Sequence, residues 1–174
     1  MITFRNCDRR WPFLWESVDQ PTMRWHRSGE GPVQYLADTP DGAWAEFLRH
    51  EEITDEVDLD GVSRALWAVS IDEPSVATPA LDMTVLTGDL TTYPACQAEA
   101  GRLRAAGAVA LRAPSAALKP GTAGGHRVET GLREGTPADG HVYVLFGPRF
   151  EATGWMIVDR GRPPAEVLPM VNPL

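Results

Sequence analysis

VQYLADTPDGAWAEFLRHEE, residues 33–52, carries the two signals on which the fold turns. Glu30-Gly31-Pro32 breaks the chain ahead of Val33-Gln34-Tyr35-Leu36-Ala37, a short β-branched and aromatic run that reads as a strand. Thr39-Pro40 then opens a helix. Thr39 accepts a hydrogen bond as N-cap, Pro40 takes the first helical position where its missing N–H costs nothing, and Asp41 meets the positive end of the helix dipole. Ala43, Trp44, Phe47 and Leu48 recur at the three- and four-residue spacing of a buried stripe. Glu46, Arg49 and Glu52 fall off it, Glu46 at its edge, and the helix is expected to run to about Glu52.

Working outward, Arg64 to Ile71 is an apolar run of strand length that ends before Pro74. A second helix is expected from Pro94 to Ala106, with Cys96, Ala100 and Leu103 on one face and Gly107 as the residue that stops it. Ala108 to Leu111 follows as a strand. Val142 to Phe146 and Trp155 to Val158 read as two closing strands on either side of the turn signal Gly147-Pro148. Pro120 to Gly140 is too irregular for an element of its own and reads as a loop. Strands and helices mixed without βαβ alternation predict an α+β fold: one compact domain over residues 1–174, a partly antiparallel central sheet flanked by helices.

The chain has 174 residues, 43% of them hydrophobic and 23% charged, the composition of an ordinary globular domain rather than a disordered one. Its 16 Lys and Arg against 24 Asp and Glu give a net charge of −8, which argues against nucleic acid as a partner. An anionic ligand therefore has to be met by a few locally placed arginines. No apolar run approaches the roughly 20 residues of a membrane-spanning helix. Met1 to Cys7 reaches Asp8-Arg9-Arg10 before any hydrophobic stretch builds up, so a cytoplasmic protein is expected. Cys7 and Cys96 are too few for a disulfide framework and match no zinc spacing.

Several chemistries lack their motifs. Glu46 and His50 share a helix face at i, i+4, but no third or fourth ligand is readable, and no metal is assigned. Ser115, in Ala113-Pro114-Ser115-Ala116-Ala117, lacks the flanking glycines of a nucleophile elbow. Gly121 to Gly125 has no Gly-Lys-Ser/Thr and opens no predicted helix, so both nucleotide fingerprints are missing.

What remains is an ordered series of polar residues at element boundaries: Arg24 in Met23-Arg24-Trp25-His26, Tyr35, Glu46 and Ser115. Arg24-Trp25-His26, then Gly31-Pro32-Val33-Gln34-Tyr35 through Trp44-Ala45-Glu46, resembles the signature of the RES domain, named for its Arg, Glu and Ser. Asp89-Leu90-Thr91, Ala113-Pro114-Ser115-Ala116 and Val144-Leu145-Phe146 are similar to the family's later blocks, so that the resemblance covers about residues 20–150. It implies an ADP-ribosyltransferase-like fold and an enzyme that breaks the nicotinamide–ribose bond of NAD, as a glycohydrolase or phosphorylase. It also implies a toxin held inactive by a helix-turn-helix antitoxin. Transfer of ADP-ribose to a protein, or a noncatalytic nucleotide- or antitoxin-binding module on the same fold, are the alternatives.

The residue types suit that chemistry. Cleaving the bond leaves an oxocarbenium-like sugar whose charge calls for a carboxylate, here Glu46. Arg24 offers donors for a pyrophosphate or an incoming phosphate, Tyr35 a ring and a hydroxyl for nicotinamide, and Ser115 one hydrogen bond to the dinucleotide. Taken singly, each has a plainer role: a surface ion pair, a solvated helix residue, a core aromatic, a turn cap.

Overall fold

The N-cap geometry read from Thr39-Pro40 is the geometry found. In the computed structural model, which describes residues 1–72 and 76–174, Thr39 Oγ1 accepts from Gly42 N–H at 3.0 Å at the head of the first helix. The strands are β1 (Ile2–Cys7), β2 (Val33–Ala37), β3 (Arg64–Ser70), β4 (Ala110–Pro114), β5 (His126–Val128), β6 (Leu132–Glu134), β7 (His141–Phe146) and β8 (Thr153–Gly161). The helices are α1 (Pro40–His50), the short α2 (Met83–Leu86) and α3 (Tyr93–Ala105). Pro74, placed after the β3 run, lies outside the described residues.

Six strands form one sheet in the order β4-β7-β2-β1-β3-β8, and every pairing in it is antiparallel. One isolated parallel bridge, Ala77 with Leu111, lies beside it. The expected α+β domain with a central sheet and flanking helices is therefore present.

The pairing is uneven. β1 matches β3 in register from Ile2↔Ser70 to Cys7↔Ala65, and β2 matches β7 from Val33↔Phe146 to Ala37↔Val142, but β1 and β2 share the single pair Phe4↔Ala37. The sheet thus parts into two halves. On one face, α3 and Leu86 of α2 bury Cys96, Ala100 and Leu103 against Val33, Leu111 and Val144 of the first half. On the same face, α1 buries Ala43, Trp44 and Leu48 against Leu66 and Phe4 of the second half, with Val167 behind them. The opposite face is closed by Phe13 and Leu14 over Leu36, Val69 and Leu145, Phe13 lying 5.0 Å from the Trp67 ring. A cleft opens where β1 and β2 part, between α1 and α3.

The two closing strands, β7 and β8, are not partners. Both sides of β7 are taken by β2 and β4, so β8 pairs instead with β3 at the far edge. The strand after α3 starts two residues late, at Ala110, because Ala108 N–H still donates to Leu103 while Gly107 turns the chain at φ +91°. Residues 126–134 form a hairpin inside the expected loop. Its three-residue strands are exposed on both faces and leave no burial pattern for sequence to show, and Gly135 meets Gly124 so closely that a Cβ would stand 2.0 Å from its carbonyl oxygen.

Thr39→Ala is expected to lower the unfolding free energy by about 1 kcal/mol, with Thr39→Ser near wild type. Leu48→Ala, at a fully buried position, should cost about 2–5 kcal/mol. Denaturant titration of the three variants checks both values.

Candidate active site

The cleft encloses about 360 Å³, within the range of small-molecule sites. Arg24, Tyr35 and Glu46 line it together with Trp25, His26, Arg49 and Tyr93. Ser115 is not among its lining residues and stands behind Glu46.

Glu46 projects from the middle of α1. Its Oε1 accepts the Ser115 hydroxyl at 2.9 Å. Ser115 follows β4, where its Oγ also accepts from the N–H groups of Ala117 and Leu118 at 3.2 and 3.3 Å. The one proton of that hydroxyl is thereby spent on the carboxylate, and a turn of backbone fixes its direction. Burial pushes the Glu46 carboxyl above its ordinary value, while the Ser115 hydrogen bond and the charges of Arg49, Arg24 and His50 pull it back.

Tyr35 enters from β2. Its oxygen accepts from Trp25 N–H at 3.0 Å and lies 2.9 Å from His26 Nδ1, whose tautomer decides which of the two gives the proton. Burial holds the phenol strongly protonated and lowers His26. The Met23–His26 turn, closed by Met23 N–H on His26 O at 3.0 Å, sets Arg24 and the Trp25 amide in place.

Arg24 is 8% exposed, and most of its fork already has partners. Nη2 donates to Gly88 O at 2.6 Å, Nη1 donates to Thr92 Oγ1 at 3.0 Å and to Val85 O at 3.3 Å, and the guanidinium lies 4.8 Å from the Tyr93 ring. Arg49, one turn after Glu46, is equally buried. Its Nη2 donates to the same Gly88 carbonyl at 3.1 Å, Nη1 donates to Ala116 O, and Nε has no hydrogen-bond partner among the described residues. Burial lowers Arg49, Glu46 opposes that, and Arg24 adds to it. Two like charges thus converge on one carbonyl beside a carboxylate, an arrangement that suits a ligand carrying both a phosphate and a developing cation.

Arg49 and Tyr93 were not singled out from sequence. For Arg49 the signal was there: it follows Glu46 by three residues, which on a helix puts both on one side. Tyr93 gave none, because its place over Arg24 depends on the 85–92 segment. No residue of 120–140 lines the cleft. Among the described residues no three His, Cys, Asp or Glu gather as metal ligands, and no helix is long and apolar enough to cross a membrane.

Fold and cleft together define a mixed α/β domain with a split six-stranded antiparallel sheet and an arginine-lined cleft at the split. The family model of the RES domain matches residues 7–152, and the chain belongs to that family. Among solved structures it is similar to a chain of the M. tuberculosis MbcT–MbcA toxin–antitoxin complex, with 14% identity and a TM-score of 0.60 over 91% of this chain and 84% of that one. No curated protein matches it.

Glu46 carries a stability signature. A carboxyl raised by folding contributes stability below its unfolded value, near 4.5, and loses it as pH rises through the higher folded value. Glu46→Gln should therefore be more stable than wild type at pH 8, with the gain vanishing below pH 4.5, as read by thermal melts across pH. Gly88→Ala places a Cβ 2.4 Å from Thr92 Cγ2 and 2.7 Å from Thr84 O, and is expected to cost about 1–3 kcal/mol in the same assay.

Proposed function

We propose that this protein is an NAD-consuming enzyme that cleaves the nicotinamide–ribose bond, acting in the cytoplasm as the toxin of a toxin–antitoxin pair. The observation that carries the reading is the half-buried Glu46 carboxylate, aimed by Ser115 and set beside Arg24 and Arg49 in one cleft. Membership of the RES family supports it, and the neighbouring fold belongs to a toxin–antitoxin complex.

The reaction is dissociative. The N-glycosidic bond breaks, its electron pair leaves with the nicotinamide nitrogen and discharges the pyridinium, and the ribosyl carbon is left as an oxocarbenium ion. Glu46 faces that charge, and burial strengthens the interaction because little water screens it. Its approach is fixed beforehand by the Ser115 hydroxyl, so no reorganisation is needed as charge develops. Arg24 and Arg49, held by backbone carbonyls rather than by carboxylates, present an unneutralised charge to the pyrophosphate. Tyr35 supplies a ring wall for the nicotinamide. Water, phosphate or a protein side chain then captures the sugar and loses a proton.

Purified protein incubated with NAD should release free nicotinamide, followed by chromatography, with the rate reduced by about 10²-fold or more in Glu46→Gln. Binding of NAD without release in any condition, phosphate included, would identify a noncatalytic module instead. Ionised Glu46 is the active form, so the acid limb of kcat/KM should lie above 4.5. Ser115→Ala removes a hydrogen bond that lowers that value, and should move the acid limb further up while slowing turnover.

A further inference from the structure

After β8 the chain turns through a 3-10 helix, Ala165–Met170, and comes back to the turn that follows β4. Val171 forms an antiparallel bridge with Leu118, and Lys119 N–H donates to Met170 O at 2.8 Å. Asn172 grips the same turn twice. Its N–H donates to Ala117 O at 2.8 Å, and its Nδ2 donates to Leu118 O at 3.0 Å. Ala117 and Leu118 are buried, whereas Asn172 is half-buried and is not among the residues that line the cleft. It also lies beyond the stretch that matches the RES family.

A trans peptide group is planar, so fixing its oxygen fixes the direction of its N–H. Three consecutive peptide groups of this turn are held in that way. Between Ala116 and Ala117, the oxygen accepts from Arg49 Nη1 and the N–H donates to Ser115 Oγ at 3.2 Å. Between Ala117 and Leu118, the oxygen accepts from Asn172 N–H and the N–H donates to Ser115 Oγ at 3.3 Å. Between Leu118 and Lys119, the oxygen accepts from Asn172 Nδ2 and the N–H donates to Met170 O. From Asn172 N–H, through the peptide group it holds, to the Ser115 hydroxyl and on to Glu46 Oε1, every donor points the same way, and each bond polarises the next. The two contacts on Ser115 are the longest in that run. They are the ones most easily lost if the turn loosens.

We propose that Asn172 is a positioning residue for the Glu46–Ser115 pair: by gripping the peptide groups on either side of Leu118, it keeps the Ser115 hydroxyl aimed at the carboxylate. Its importance for turnover rests on the reading under Proposed function, whereas its effect on Glu46 rests on the hydrogen bonds alone. The Ser115 hydrogen bond lowers Glu46 against the pull of burial, so loosening that bond lets the carboxyl rise. The other groups that bear on Glu46 are Arg49 and His50 of α1, Arg24 in the turn before β2 and Tyr35 of β2. Of these only Arg49 shares the turn, and it is bonded to a peptide group that Asn172 does not touch.

Two readouts test this: titration of the Glu46 carboxyl followed by carbon NMR, which needs no turnover, and release of nicotinamide from NAD. Wild type, Asn172→Ala, Ser115→Ala and the double variant are compared, each checked for folding by circular dichroism. Asn172→Leu keeps the side-chain volume while removing the Nδ2 donor, and serves where the alanine variant folds poorly. In either Asn172 variant Glu46 should titrate above wild type and no higher than in Ser115→Ala. The rate constant kcat should fall about fivefold, the net effect of one hydrogen bond, with KM little changed because Asn172 meets no ligand. In the Ser115→Ala background, Asn172→Ala should have no further effect on either readout. A raised Glu46 titration in Asn172→Ala beside a wild type that releases no nicotinamide would sink the NAD reading and leave the positioning role standing. A Glu46 titration unmoved by both Asn172 variants, or an effect that adds in full to that of Ser115→Ala, overturns the positioning role.

Discussion

Two guanidinium groups share the carbonyl of Gly88, and much of the molecule is arranged to make that tolerable. A buried charge costs several kcal/mol unless it is hydrogen-bonded, and two of the same sign repel. The segment from Val85 to Thr92 answers this by turning carbonyl and hydroxyl oxygens inward to Arg24 and Arg49. Gly88 is required at its centre because a Cβ there would meet Thr92 and the Thr84 carbonyl. α3 begins at the end of this segment, and its packing on β4 and β7 therefore also fixes the arginines.

The second constraint is the parting of β1 from β2 after one register pair. A continuous ladder would have sealed the sheet. By separating, the two strands let one helix pack on each half and leave a cleft between. The site draws α1 and the turn after β4 together through Glu46 and Ser115, while Tyr35 and Arg24 come from β2 and from the turn preceding it. Each functional side chain is held by something else: a serine by two backbone amides, a tyrosine by a backbone amide and an imidazole, arginines by carbonyls. Preorganisation of this kind strengthens electrostatic stabilisation because the groups need not move when charge appears.

Partner positions show how the sequence could be read, and where it could not. The strand–helix unit of residues 33–50 was legible almost to the residue, since its signals are local: a break at Gly31-Pro32, an N-cap, a proline and a stripe of regular period. The order Arg24, Tyr35, Glu46, Ser115 was legible only through resemblance to the RES family, because nothing in the spacing of those residues says that they meet. Ser115 shows the difference well. Sequence offers it as a donor to a ligand, whereas the fold gives its proton to Glu46.

By itself, then, the sequence determined the α+β class, the two long helices, most of the strands and the need for local arginines in an acidic chain, all of which follow from composition and from periodicities a few residues long. The tertiary structure alone decided the order of the strands, the placement of β8 at the edge opposite β4, the opening between β1 and β2, and the gathering of Arg24 and Arg49 around one cleft. Those outcomes depend on pairings between residues tens of positions apart. Such contacts are chosen by which edges remain free and which charges can be satisfied once the whole core has formed, and no local pattern records that choice.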